Sequence, residues 1–162
     1  MTVTPTPIDG LLIIEPRVFA DDRGYFFESF SEAAFAKATG FAGRFVQDNQ
    51  ARSVRGVIRG LHFQQAPHAQ TKLVRALAGV IWDVAVDLRA GSTTYGRWFG
   101  VELSAENKRQ LLIPQGFAHG YSLLSDTAEM LYKCDDHYSK ESEGGVRFDD
   151  PAIGIDWKMD VG

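Results

Sequence analysis

The chain has 162 residues, 44% of them hydrophobic, and a formal net charge of −4 at pH 7. That length suits one domain with a real core, and the acidic balance excludes the broad basic surface of a nucleic-acid-binding protein. A single cysteine, Cys134, excludes an internal disulfide and fits a reducing cytoplasm, as it fits other places; MTVTPTPIDG does not read as a signal peptide, and no apolar run reaches the ~20 residues of a membrane helix.

Short alternating runs follow one another from the N-terminus. LLIIEPRVF and YFFESF read as strands, separated by the turn signal ADDRG. SEAAFAKATG is the one helix the pattern predicts, with Ser31 as N-cap and Gly40 as its stop. Strands then follow in FVQDNQARS, GVIRGLHFQ, KLVRALAGVIWDVAVDL, WFGVEL, RQLLIPQGFAHGYSLLS and AEMLYKCDDHYS, broken by RAGSTTYG, SAEN and LSDTA. No linker or repeat interrupts them. The expectation is an all-β single domain over residues 1–162, a jelly-roll barrel or sandwich with one or a few short helices. Exposed strand edges in such a fold favour a homodimer.

GLHFQQAPHAQTKLVRALAGV, residues 60–80, resembles the first motif of the cupins, small jelly-roll barrels that commonly hold a metal. Six residues separate Lys72 from Gly79, as they separate the motif's glutamate from its glycine, but Lys72 replaces that glutamate. The two histidine positions before it read Ala66 and His68. The second motif, PxGxxH, is intact as Pro114, Gly116 and His119. A protonated lysine is a poor ligand and repels a dication, so no metal and no cofactor are expected. The barrel would instead present a fixed cation to an anion formed inside it. An ammonium beside a histidine and a tyrosine suits removal of a proton next to a carbonyl, with the cation stabilising the enolate.

Strand parity places His62 and Gln64 on one face, and Lys72, Val74 and Ala76 on one face of the next strand. Asp83 shares a face with Ile81 and Ala85 and needs a partner there; Lys72 and His62 are both within its expected reach. Arg59 and His62 have opposite parity, so both face one site only if the strand bends, and Gly60 is the natural place for a bulge.

Five segments, FADDRGYFFESF, FVQDNQARSVRGVIRGLHFQ, KLVRALAGVIWDVAVDLR, RQLLIPQGFAHGYSLLSDTAEMLYKCDDHY and ESEGGVRFDDPAIGIDW, together resemble the dTDP-4-dehydrorhamnose 3,5-epimerase family. That resemblance implies a dimeric, cofactor-independent jelly roll that inverts C3 and C5 of a dTDP-4-keto-6-deoxyhexose. It implies His62 as the base, Tyr132 as the acid on the opposite face and Lys72 beside the C4 oxygen. It further implies Arg23, Glu28, Gln47, Asn49, Arg59, His119 and Glu143 as substrate-binding positions, Arg23 and Arg59 with the diphosphate. Tyr138 would stack on thymine, with Phe26 at the same end. The family continues past the DW segment to an aspartate partner of the histidine, and this chain stops at Gly162; either the sequence is a shortened piece or Asp83 orients His62 alone, and Asp83 reads equally as a structural partner. Three other functions fit parts of the pattern: a single-site C3 or C5 epimerase, a metal-dependent cupin oxygenase or isomerase, and a non-catalytic nucleotide-sugar binding module.

Overall fold

The structure is a computed structural model and describes residues 1–160. In chain order its strands are β1 (Thr2–Pro5), β2 (Leu12–Glu15), β3 (Val18–Asp21), β4 (Gly24–Phe27), β5 (Gln47–Val54), β6 (Ile58–Gln64) and β7 (Lys72–Ala78). They continue as β8 (Val80–Asp87), β9 (Trp98–Ser104), β10 (Gln110–Ile113), β11 (Phe117–Leu123), β12 (Thr127–Cys134) and β13 (Glu143–Gly145). One sheet has the order β1-β2-β10-β7-β12-β5 and the other β13-β6-β11-β8-β9. The antiparallel neighbours β5·β12, β6·β11, β7·β10 and β8·β9 pair the two ends of the β5–β12 stretch progressively inward. The chain is therefore a hairpin ribbon rolled across two sheets, which is the jelly roll expected from the sequence.

Three long predicted runs are each divided. Pro16 separates β2 from β3, and Pro114–Gly116 separates β10 from β11. Gly79 separates β7 from β8 with φ 71°, and a Cβ there would collide with the Thr127 carbonyl. Strands β1 and β13 carry no periodic signal: TVTP ends on proline, and EGG has almost no side chains to alternate. The helix α1 (Glu32–Thr39) forms where expected. Ser31 Oγ accepts from Ala34 N–H at 3.4 Å, and Gly40 takes the left-handed conformation at φ 75°.

Inward positions of the two sheets meet in a core that includes Val74, Ala76, Ile81, Leu103, Leu111, Leu123 and Met130. The outward face of the first sheet is covered by Phe35 of α1, which packs with Phe30, Phe41 and Phe45 over Leu73 and Leu112. Burying each such ring contributes roughly 1.5–3 kcal/mol. Trp157 closes the outward face of the second sheet against Leu61, Val84 and Val86. Among the described residues no helix is long and apolar enough to cross a membrane. Strands β3 and β4 pair only with each other, and their hairpin exposes Phe19, Tyr25 and Phe26.

Candidate active site

The bend expected at Gly60 is present. His62 lies opposite His119, and Arg59 opposite Tyr121, so β6 spends one residue more than β11 over the same span. Gly60 has φ 131°, and a Cβ there would stand 2.6 Å from the Gly120 Cα. Only glycine allows this close approach. Arg59 and His62 thereby reach one cavity of about 390 Å³ despite their opposite parity.

The cavity lies between the sheets. Arg59, His62, His119 and Tyr121 enter from β6 and β11; Lys72, Met130 and Tyr132 enter from β7 and β12, with Ala51 from β5 and Ile58 at the edge. His62 and Tyr132 thus project from opposite walls. Lys72 is buried, with Nζ 5.5 Å from the Tyr132 ring centroid. The His119 ring stands edge-on to Tyr132 at 6.3 Å.

Two of the three central groups, His62 and Tyr132, are shifted in a direction that suits proton transfer. Partial burial, and then the Lys72 charge, hold the His62 imidazole below its ordinary pKa, which keeps it an unprotonated base. Burial lowers Lys72, opposed by the fields of Cys134 and Asp83. Burial raises the Tyr132 phenol, opposed by Asn49, so it stays a neutral proton donor near neutral pH.

Asp83 departs from expectation. Its fully buried carboxylate accepts from His119 Nε2 at 2.7 Å, rather than from His62 or Lys72. The cause is register: Tyr121 is the β11 residue opposite Asp83, and the next inward residue of β11 is His119. Asp83 Oδ2 has no hydrogen-bond partner, and its field acts on Lys72. His62 accordingly has no carboxylate hydrogen-bonded to it among the described residues. His119, the surviving histidine of the PxGxxH motif, is committed to Asp83. No cluster of three or more metal-ligating His, Cys, Asp or Glu occurs among the described residues.

A polar chain runs along the cavity rim. Asn49 lies opposite Tyr132 in the β5·β12 ladder. Gln47 Nε2 donates to Asn49 Oδ1 at 3.1 Å, and Gln47 Oε1 accepts from the Tyr138 N–H at 3.1 Å. Tyr138 Oη donates to Glu143 Oε2 at 3.0 Å. Gln47, Asn49, Tyr138 and Glu143 are thus brought together, with the Tyr138 ring exposed. Arg23, Phe26 and Glu28 are not brought to this cavity. Arg23 pairs with Asp21 at 2.6 Å, and Arg23 and Phe26 line a separate, open concavity on the β3–β4 hairpin. Glu28 follows that hairpin and is exposed.

Sequence reasoning passed over Tyr121 and Ser53. Both were within reach of parity: Tyr121 is two residues from His119, and Ser53 shares its strand face with Asn49 and Ala51.

The family model of dTDP-4-dehydrorhamnose 3,5-epimerase matches residues 5–162. The chain is 54% identical over 159 residues to dTDP-4-dehydrorhamnose 3,5-epimerase of Shigella flexneri, covering 98% of this chain and 88% of that one. A crystal structure of dTDP-4-dehydrorhamnose 3,5-epimerase from Elizabethkingia anophelis superposes with a TM-score of 0.95 at 55% identity, over 99% of this chain and 88% of that one. The dTDP-6-deoxy-D-glucose-3,5-epimerase of Legionella pneumophila, in complex with dTDP-4-keto-L-rhamnose, superposes with a TM-score of 0.95 at 51% identity, over 99% and 85%.

Proposed function

The chain belongs to the dTDP-4-dehydrorhamnose 3,5-epimerase family, and from that premise we propose that it inverts C3 and C5 of dTDP-4-keto-6-deoxy-D-glucose, giving dTDP-4-keto-L-rhamnose. One observation carries the reading: His62 and Tyr132 face each other from opposite sheets across one cavity, with the Lys72 ammonium beside them. Inversion needs two proton-transfer groups on two faces of the sugar, and the opposed placement of His62 and Tyr132 supports that reading.

His62 takes the C–H proton next to the C4 ketone. The electron pair moves into an enolate whose oxygen is stabilised by Lys72. Tyr132 returns a proton to the opposite face. C3 and C5 both flank the ketone, so one constellation serves both carbons and no cofactor is required. Arg59 binds the diphosphate, a role suited to a planar guanidinium. His119, held by Asp83, and the Gln47–Asn49 pair contact the sugar. Tyr138, held by Glu143, offers an exposed ring to thymine.

Arg23, Phe26 and Glu28 complete this reading in a homodimer. Their hairpin shares no ladder with either large sheet, and Phe26 is 70% exposed. Apolar side chains exposed in this way are what a second copy covers, and docking it would bring the Arg23 cation to the diphosphate end of the neighbouring cavity. The single buried Cys134 fits a cytoplasmic enzyme.

The deciding experiment incubates the protein with dTDP-4-keto-6-deoxy-D-glucose in D2O and follows C3 and C5 by NMR. Deuterium at both carbons, with formation of the L-rhamno product, is the expected result. Deuterium at one carbon would move the assignment to a single-site epimerase, and binding without exchange would leave a nucleotide-sugar binding module.

A further inference from the structure

Five arginines of this chain are closely ion-paired. Arg23, Arg55, Arg89, Arg109 and Arg147 each lie against a carboxylate, at distances from 2.6 to 3.2 Å. Arg59 does not. Its Nε donates to Ser53 Oγ at 2.7 Å, and its Nη2 donates to the Arg52 carbonyl at 3.3 Å. Both acceptors are uncharged. A guanidinium cannot accept, so Ser53 must be the acceptor in this bond. Ser53 Oγ also lies 3.2 Å from Tyr121 Oη. Ser53 is 5% exposed and Tyr121 4%. Ladder pairing fixes both: Ser53 is opposite Ala128, and Tyr121 is opposite Asp83 on one side and Arg59 on the other.

We infer that Ser53, braced by Tyr121, is a positioning residue that fixes the Arg59 guanidinium on the cavity wall and so sets the affinity for the diphosphate of the nucleotide sugar. It rests on the assignment of Arg59 to the diphosphate made above. A carboxylate in the place of Ser53 would orient Arg59 equally well but would cancel its charge. Two neutral oxygens orient it and leave the full charge for a ligand. Only two of the five guanidinium N–H groups are engaged this way, and the remainder are free for phosphate oxygens. Orientation matters because a paired, planar contact depends on the plane of the guanidinium as well as its charge. A side chain free to rotate would lose freedom on binding and weaken it.

The test compares Ser53→Ala, Tyr121→Phe and Arg59→Ala with the unaltered protein. For each, kcat and KM are measured with the keto-sugar, together with inhibition constants for dTDP and for thymidine, which lacks the diphosphate. Ser53→Ala is expected to raise KM and the dTDP inhibition constant roughly tenfold, the equivalent of one good hydrogen bond. It should leave kcat and the thymidine constant within about twofold. Tyr121→Phe should act in the same direction and less strongly. A Ser53→Ala protein whose dTDP-to-thymidine ratio is unchanged, while Arg59→Ala shifts that ratio, would overturn the positioning role and leave Arg59's assignment standing. Equal loss of dTDP and thymidine affinity in Ser53→Ala would overturn it as well, as general damage to the site. A ratio unchanged in Arg59→Ala would remove the assignment itself, and the positioning role with it.

Discussion

The barrel cavity and the β3–β4 hairpin both carry residues that the family likeness assigns to the substrate, yet only the cavity is finished within one chain. In the cavity, Lys72, His119 and Tyr121 are buried and anchored on β7 and β11, each strand paired on both sides. On the hairpin, the Arg23 side chain is 90% exposed and its charge is already met by Asp21. The contrast is one of dielectric and order. A charge in a dry, rigid wall acts strongly on a developing enolate; a solvated one on a two-stranded ribbon contributes little until something covers it. On the proposed function, chemistry therefore falls to the cavity and binding to the hairpin.

The largest effect that would confirm this division lies at His62. His62→Ala should lower kcat by about 10³-fold or more, within the range for losing a general base, and should abolish deuterium exchange at both C3 and C5. Exchange surviving at both carbons in that variant would sink the base assignment. Lys72→Met comes next: losing an oxyanion-type donor costs about 3–4 kcal/mol, or 10²–10³-fold in kcat. Tyr132→Phe should retain exchange while product with inverted configuration falls by roughly 10²-fold, because the phenol acts after the enolate has formed. NMR of recovered substrate separates the two steps.

The same contrast explains what could be read from the sequence. The barrel was legible because strand alternation is local: β5 follows it along its whole length, and α1 carries both of its caps. The bulge was legible because Arg59 and His62 demand one and Gly60 alone permits it. Asp83's partner was not legible. Parity shows that Asp83 points inward, but its choice of His119 over His62 depends on β8 pairing with β11, a contact between segments 36 residues apart. The place of Arg23 and Phe26 was not legible either. Motif likeness reports that a residue serves a substrate, without saying which copy of the chain brings it there.

Hairpin substitutions should therefore be milder and of a different kind. Arg23→Ala and Phe26→Ala are expected to raise KM about tenfold, the size of one charge-assisted hydrogen bond or one stacked ring, with kcat within about twofold. Mixing subunits sharpens the comparison. A hybrid of one His62→Ala subunit and one Arg23→Ala subunit should regain one intact site if the hairpin serves its partner, because an unaltered His62 then meets an unaltered Arg23. If each hairpin serves its own chain, every site in the hybrid carries one defect and nothing is regained. Activity of the purified hybrid at subsaturating substrate reads the difference.

The smallest expected effect is a shift in pH dependence, and its sign follows from the cavity. His62 must be neutral to act, and its pKa lies below the ordinary 6.5, first because it is partly buried and then because of the Lys72 charge. Activity should therefore persist below pH 6.5 and fall only as His62 is protonated at lower pH. Lys72→Met removes the second cause and keeps the first, so the acid limb of kcat/KM should move up toward 6.5 without reaching it. On the alkaline side, burial lowers Lys72 and raises Tyr132. Discharge of the ammonium should therefore place an alkaline limb below the 10.5 of an ordinary lysine. Within one chain no hairpin residue lines the cavity of His62 and Lys72, and the proposed dimer brings Arg23 only to its diphosphate end, so Arg23→Ala should move neither limb. A displaced acid limb in Arg23→Ala would show that the hairpin cation reaches the base, and would end the separation of binding from chemistry.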